Sequence, residues 1–185
     1  GCLKNEYRHN IEFTPGALRV LYLPLLVPQI AFLFGISTLL VRFGWDGQLA
    51  PVVFAHLLFV LPYVFLSVAA PFRQFDLRYL RVAAALGVNQ NKAFFTVRLP
   101  LLLKPILLAT ALGMAVSIAQ YLPTLMIGAG RVETITTEAV ALAAGGDRRL
   151  IGIYAMVQAL LPAIGFVAAA FAPKFLYPNK RYFAS

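Results

Sequence analysis

The sequence predicts an all-α integral membrane protein, a polytopic bundle of four transmembrane helices with one cytoplasmic helix pair. Hydrophobic residues make up 61% of the chain and charged residues only 12%, whereas soluble domains are about half apolar and a quarter charged. The charged residues also leave four long windows without Lys, Arg, Asp or Glu. The composition therefore disfavours a soluble globule, and the charge-free windows set the number of spans.

Each window is about 22 to 26 residues long, and about 20 apolar residues cross a hydrocarbon core of about 30 Å as a helix. Strands of a membrane barrel would be about 10 residues long and would alternate apolar with polar residues, a pattern that this sequence lacks. We expect one transmembrane domain over residues 1–185, with an additional helix or helices in a longer chain upstream. Its helices are placed at about 18–42, 48–72, 101–128 and 150–173.

The formal net charge of +9 is a signal of membrane topology and not of nucleic-acid binding. Twelve of the 16 Lys and Arg residues fall in the segments 1–19, 73–104 and 174–185, and four fall in the remaining loops. Positive residues concentrate in cytoplasmic loops of membrane proteins. We therefore expect both termini of this chain and the loop after the second helix to lie in the cytoplasm.

Polar residues within the spans are the candidates for a translocation pathway. Gln120 and Tyr121 lie near the outer end of the third span, and His56 is the one imidazole within a span. An ionisable residue inside a membrane is a functional hypothesis by default. For His56 the competing interpretation is a neutral side chain, hydrogen-bonded between packed helices.

The loop at about 73–100 has the pattern of two short helices with a break. Asp76 is a plausible N-cap for the first helix, and Gly87 suits the left-handed position just after its end. Asn89 or Asn91 would cap the second helix, which we expect to end at Leu99-Pro100. Small, aromatic and basic residues along the pair indicate a docking element, in which Ala83, Ala84 and Ala85 allow close approach and Phe94 and Phe95 are anchors.

The run Arg81-Val82-Ala83-Ala84-Ala85-Leu86-Gly87, followed by Phe94 and Leu99-Pro100, resembles the EAA loop of type I, binding-protein-dependent ABC importer permeases. The spacing from the glycine to the proline is the same. Arg81 and Val82 stand where the family has Glu and its first Ala, so the polar contact of that Glu is not carried over.

The resemblance implies the permease fold and a coupling role for the loop against a cytoplasmic ATPase subunit. The residues that match the family pattern are Ala83, Ala84, Leu86, Gly87, Phe94, Leu99 and Pro100. It also implies the bacterial inner membrane as the location, a periplasmic substrate-binding protein and a second permease half or subunit. The stretch 121–130 with Thr136-Thr137-Glu138 is similar to fused permeases linked to thiamine, iron or polyamines, and there to the carboxyl-terminal half.

Other classes of function have less support in the sequence. There is no phosphate-binding loop for ATP, no clustered metal ligands and no set of nucleophile and base, so we expect no enzyme activity, cofactor or metal in this chain. An ion-coupled secondary transporter or channel is the main alternative, but such carriers more often place charged residues inside their spans. A structural membrane anchor would not need the ordered loop.

Overall fold

The computed structural model describes Arg19, Tyr22 and residues 26–146 and 148–176, and these residues form helices and turns without a β-strand. We number the helices α1 to α8 from Gln29 onward. A five-residue π-helical segment, Phe94–Arg98, joins α4 to α5. The helices are α1 Gln29–Phe43, α2 Leu49–Arg73, α3 Arg78–Ala85, α4 Gln90–Ala93, α5 Leu99–Ile118, α6 Tyr121–Gly128, α7 Ile135–Gly145 and α8 Arg148–Leu176.

Three helical stretches in the described part of the chain are long and apolar enough to cross a membrane. They are Leu49–Arg73, Gln90–Ile118 and Arg149–Phe175, with 25, 29 and 27 residues. The chain is thus an all-α polytopic membrane protein, as predicted. Helix α1 has only 15 residues from Gln29, and most of the predicted first span before that point lies outside the described residues.

The predicted helix at 101–128 is wrong as a single unit, because the structure divides it into α5 and α6. The chain leaves the helical conformation at Gln120, where ψ is 81°. Pro123 favours the break, since in an unbroken helix it could donate no hydrogen bond to the Ala119 carbonyl and its ring would crowd that group. Proline instead takes a place in the first turn of α6, where no such bond is required.

The prediction that Leu99-Pro100 ends the cytoplasmic helix is also wrong. Helix α4, the π-helical segment and α5 run from Gln90 to Ile118 without interruption, and Pro100 lies in the first turn of α5. Single π turns inside longer helices usually mark a local insertion or a functional position. The second helix of the loop is therefore an extension of a membrane-spanning helix.

Helix α5 is the centre of the bundle and packs against both α2 and α8. Small residues allow this close approach: Ala109 and Ala111 are buried, and a Cβ atom on Gly113 would lie 2.7 Å from Val64 Cγ2 of α2. Lipid chains are as apolar as the helices, so the hydrophobic effect does not bring helices together in a membrane. Tight van der Waals packing stabilises their association instead. The small residues of α5 therefore lie in its contacts with the neighbouring helices.

The end of the bundle opposite α3 has its own tertiary contacts. Leu33, Phe59 and Ile127 join α1, α2 and α6 in one buried cluster. In the α1–α2 turn, the Gly47 N–H donates to the Ile127 carbonyl at 3.0 Å, and Asp46 lies 3.4 Å from the Arg131 guanidinium. These contacts fix α6 against α1 and α2, and so fix the break that precedes α6.

Candidate functional site

The break between α5 and α6 is held by a polar network around His56 of α2. His56 Nδ1 lies 2.9 Å from Ser117 Oγ of α5, and His56 Nε2 lies 2.8 Å from Thr124 Oγ1 of α6. Thr124 is fully buried, and its hydroxyl donates to the Gln120 carbonyl at 2.8 Å. One imidazole therefore bridges the two helices on either side of the break.

The hydrogen bonds of Thr124 assign the tautomer of a neutral His56. A hydroxyl has one proton, and the Thr124 proton is used on the Gln120 carbonyl. Thr124 Oγ1 must then accept from His56, which places the imidazole proton on Nε2 and leaves Nδ1 to accept from Ser117 Oγ. His56 is thus the packed, hydrogen-bonded group that the sequence offered as the competing interpretation.

Gln120 lies at the break itself and is 7% exposed. Its Nε2 donates to the His56 carbonyl at 3.2 Å, which fixes the orientation of the side-chain amide because a carbonyl can only accept. Its Oε1 is buried and accepts no hydrogen bond from the residues that the structure describes. A buried acceptor without a donor costs about 1–3 kcal/mol, so the break contains one unsatisfied polar group in this conformation.

A cavity of about 730 Å³ adjoins this break. Gln120 and Tyr121, both predicted as pathway residues, line it together with Gln29, Phe59 and Tyr63. His56 lines a different cavity, of about 590 Å³, between α2, α5 and the loop before α7. The structure thus groups two of the three predicted pathway residues in one cavity and places His56 beside it, as a support for Gln120.

Sequence reasoning missed Thr124 and Tyr63 as members of this region. Thr124 follows Gln120 by four residues, which is the spacing of about one helical turn. Once the break is located, this spacing predicts that the two residues lie close together. Tyr63 is separated from Tyr121 by more than fifty residues, and no periodicity in the sequence connects them.

A second candidate site is the α3–α4 turn at the other end of the bundle. Asp76 Oδ1 accepts from the Arg78 N–H at 2.8 Å at the start of α3. Gly87 has φ +75°, and the Val88 and Gly87 N–H groups donate to the Ala83 and Ala84 carbonyls. This is the Schellman pattern, in which glycine occupies the left-handed position. The predicted turn conformation is confirmed.

The predicted coupling residues separate into an exposed and an inner group. Leu86 is 77% exposed, and Ala84 and Gly87 are exposed beside it. The remaining matched positions face inward: Ala83 and Pro100 are buried, and Phe94 and Leu99 are half-buried. The expectation that Ala83 offers a free surface is wrong, because its methyl group packs inside the segment. Phe94 is likewise no exposed anchor, whereas its neighbour Phe95 is 64% exposed.

Arg98 is the residue of this segment whose position the sequence did not predict. Its side chain is buried, at 4% exposure, although in the sequence it counted only as a cytoplasmic charge. The guanidinium lies over the Phe72 ring at 3.9 Å from the centroid and 5.2 Å from the centroid of Phe75. Arginine stacks on aromatic faces in this way, and the stacking joins the π-helical segment to the end of α2.

The chain is similar in sequence to known membrane transport proteins. The family model for "Binding-protein-dependent transport system inner membrane component" matches residues 8–177. The chain is also 42% identical over 156 residues to the "Inner membrane ABC transporter permease protein YnjC" of Escherichia coli strain K12. That match covers 84% of this chain but 30% of the relative. No solved structure matches the chain significantly.

The EAA motif is a feature of this family, and the structure places the matching residues in α3, in the turn after it, in the π-helical segment and at the start of α5. The family match covers more than half of the chain, and the relative shares both its sequence and its membrane character. The chain belongs to the family of binding-protein-dependent transport system inner membrane components, the permeases of type I ABC importers.

Proposed function

We propose that this chain forms part of the membrane pathway of an ATP-driven importer and is coupled by its α3–α4 segment to a separate cytoplasmic ATPase. A periplasmic binding protein would deliver the solute, and a second permease half would complete the pathway. ATP hydrolysis would occur in the partner, not in this chain. Family membership supports the permease role, while the coupling role rests on the geometry of the segment.

The observation that carries the proposal is the apolar tip of this segment, outside the bundle and flanked by basic residues. We call it the docking surface: Tyr79, Val82, Leu86 and Phe95, which are 51%, 60%, 77% and 64% exposed, with the exposed Arg78, Arg81 and Lys92. An apolar centre within a charged rim is the usual composition of a protein interface.

The segment also has the connections needed to transmit a movement. One side of the docking surface continues through Gln90–Ile118 into the central helix of the bundle. The other side, α3, follows α2 closely in the chain, and Arg98 of the π-helical segment stacks on Phe72 at the end of α2. A displacement of the docking surface would therefore act on α2 and α5 together. These two helices meet at His56 and Ser117, beside the cavity that Gln120 and Tyr121 line.

We also propose a membrane and a group of substrates for the importer. The similar protein is named as an inner-membrane permease, and we propose the same membrane, with the docking surface in the cytoplasm as the positive residues indicate. The match covers 30% of that relative, so the activity of the whole importer is a proposal. Its substrate would belong to the thiamine, iron or polyamine group implied by the resemblance in the sequence.

The coupling proposal can be tested with Leu86→Glu in the full-length permease, co-expressed with the ATPase subunit. A carboxylate at the centre of an apolar contact loses its hydration on docking. We expect loss of ATPase co-purification and of solute uptake, with normal insertion. Phe175→Glu is the matched control, because Phe175 is 83% exposed and lies near the same side of the membrane. Equal retention of the ATPase by both variants would contradict the proposal.

A further inference from the structure

We infer that the cavity lined by His56 holds one acyl chain of a membrane phospholipid, with an ammonium group of the lipid head at Glu133. This inference goes beyond the proposed import function and assigns a lipid site on the side of the bundle. The cavity has a volume of about 590 Å³ between α2, α5 and the loop before α7. The described residues that line it all differ from those that line the cavity at Gln120. We call it the lateral groove.

The length of the lateral groove matches one leaflet of a bilayer. Its wall on α2 extends from Leu49, at the start of that helix, to Val60, which is about 16 Å at 1.5 Å per residue. A hydrocarbon core of about 30 Å leaves about 15 Å for each leaflet. Near Val60 the helices α2 and α5 are in close contact, and a Cβ atom on Gly113 would lie 3.2 Å from Val60 Cγ1. The groove therefore suits a chain that enters at the bilayer surface and ends near the middle.

The α2 wall of the groove is aliphatic and uncovered in the part of the chain that the structure describes. Leu49, Val53 and Leu57 follow one another at four-residue spacing on one face of α2, and they are 64%, 47% and 51% exposed. They belong to a helix that is long and apolar enough to cross a membrane, where exposed side chains meet hydrocarbon. With Ile118 and Ile135 they give the groove aliphatic walls, which make van der Waals contacts with a flexible hydrocarbon chain.

The polar groups in the groove do not oppose an acyl chain. Both ring nitrogens of His56 are hydrogen-bonded, to Ser117 and to Thr124, and the Thr136 hydroxyl donates to the Ile118 carbonyl. A polar group that already has a partner costs much less to cover with hydrocarbon than one that must give up water. An acyl chain in the groove breaks none of these hydrogen bonds.

The charge at the mouth of the groove selects the head group. The contact between Asp46 and Arg131 places the loop after α6 beside the start of α2, and Glu133 is an exposed residue of this loop that lines the groove. Among the described lining residues Glu133 is the one with a formal charge, and it forms no ion pair with the described part of the chain. A carboxylate attracts an ammonium group and repels a head group whose only charge is a phosphate.

The test uses the full-length importer with its ATPase in lipid nanodiscs. A phosphatidylethanolamine with a diazirine at the middle of one acyl chain is added in increasing mole fraction, and the labelled residues are mapped by mass spectrometry after illumination. A phosphatidylglycerol probe with the same chains lacks the ammonium group. Ile164 of α8 is 61% exposed and lies outside the lining of the groove, so its labelling reports lipids without a defined site.

We expect labelling of Leu57 and Val60 to saturate as the probe fraction rises, and labelling of Ile164 to keep rising in proportion. At equal fractions the ethanolamine probe should label the groove about three-fold more than the glycerol probe, and both should label Ile164 equally. Labelling of the groove that only follows Ile164 overturns the inference, and equal labelling by the two probes overturns the assignment of the head group. A groove covered by the second permease half would stay unlabelled, which also overturns the inference.

Two pairs of variants locate the site. Val53→Trp fills the groove and should remove the saturating label, whereas Phe54→Trp, at the neighbouring exposed residue outside the lining, should leave it. Glu133→Gln should bring the two probes to equal labelling, and Glu138→Gln, the loss of a carboxylate outside the lining, should keep the preference. Unchanged labelling of folded Val53→Trp contradicts the inference. Thermal unfolding in detergent identifies a variant that does not fold, and the two probes on the wild-type importer then decide.

Discussion

The Arg98 guanidinium lies 3.9 Å from the centre of the Phe72 ring, within the protein and between the π-helical segment and the last turn of α2. Arg98 is adjacent to α5, while Phe72 belongs to the helix that carries His56. This contact therefore connects the start of α5 with the end of α2, the two helices that also meet at His56 and Ser117. A buried cation over a ring contributes about 0.5–2 kcal/mol.

Replacement of Phe72 should weaken this connection without removing the docking surface. We expect Phe72→Leu to bind the ATPase normally but to transport a few-fold less solute per ATP hydrolysed, because the ring face for Arg98 is lost. Phe72→Trp keeps an aromatic face and should retain most of the coupling. The measurement is the ratio of uptake to ATP hydrolysis in proteoliposomes. Phe54→Leu, an exposed site on the same helix, is the control and should show no change.

Gly87 offers a test that separates backbone strain from charge. Its φ of +75° disfavours most side chains, yet no atom lies within 4 Å of a Cβ placed there. Asn and Asp both tolerate this conformation better than other residues. We therefore expect Gly87→Asn to retain much of the uptake and Gly87→Asp to abolish it, with normal insertion of both. Similar uptake by the two variants would show that charge at this turn is unimportant.

The hydrogen bonds of His56 should be measurable as an energetic coupling between α2 and α5. We expect His56→Ala to lower the free energy of unfolding by about 1–3 kcal/mol, since Thr124 and Ser117 lose a buried partner. Ser117→Ala should cost less. In a double-mutant cycle the two changes should couple by about 0.5–1.5 kcal/mol, measured by thermal unfolding in detergent. Additive effects would mean that the imidazole does not support this part of the structure.

The membrane fold was predictable because its signals are local. Windows without charged residues indicate the length of an apolar helix, so the regions of α2 and α8 were predicted directly from the sequence. The break after α5 was missed for a physical reason. Pro62 and Pro162 lie inside unbroken helices. A proline at position 123 therefore does not by itself predict that the helix ends there.

The two candidate sites differ in how much of them the sequence predicts. The turn at Gly87 depends on consecutive residues, and its conformation followed from glycine at the end of a helix. The burial of Arg98 and Ala83 depends on which helix faces cover them, which a single sequence does not show. The same holds for the meeting of Tyr63 with Tyr121 in one cavity.

Cysteine crosslinking between the docking surface and the ATPase tests the coupling role most directly. Ala85→Cys is exposed beside Leu86, and Trp45→Cys, at the opposite end of the bundle and 61% exposed, is the control. In membranes that contain the full-length importer, we expect a crosslink from Ala85→Cys whose yield changes with ATP, and none from Trp45→Cys. The absence of any crosslink from Ala85→Cys in a correctly inserted permease would contradict the assignment of this segment to ATPase coupling.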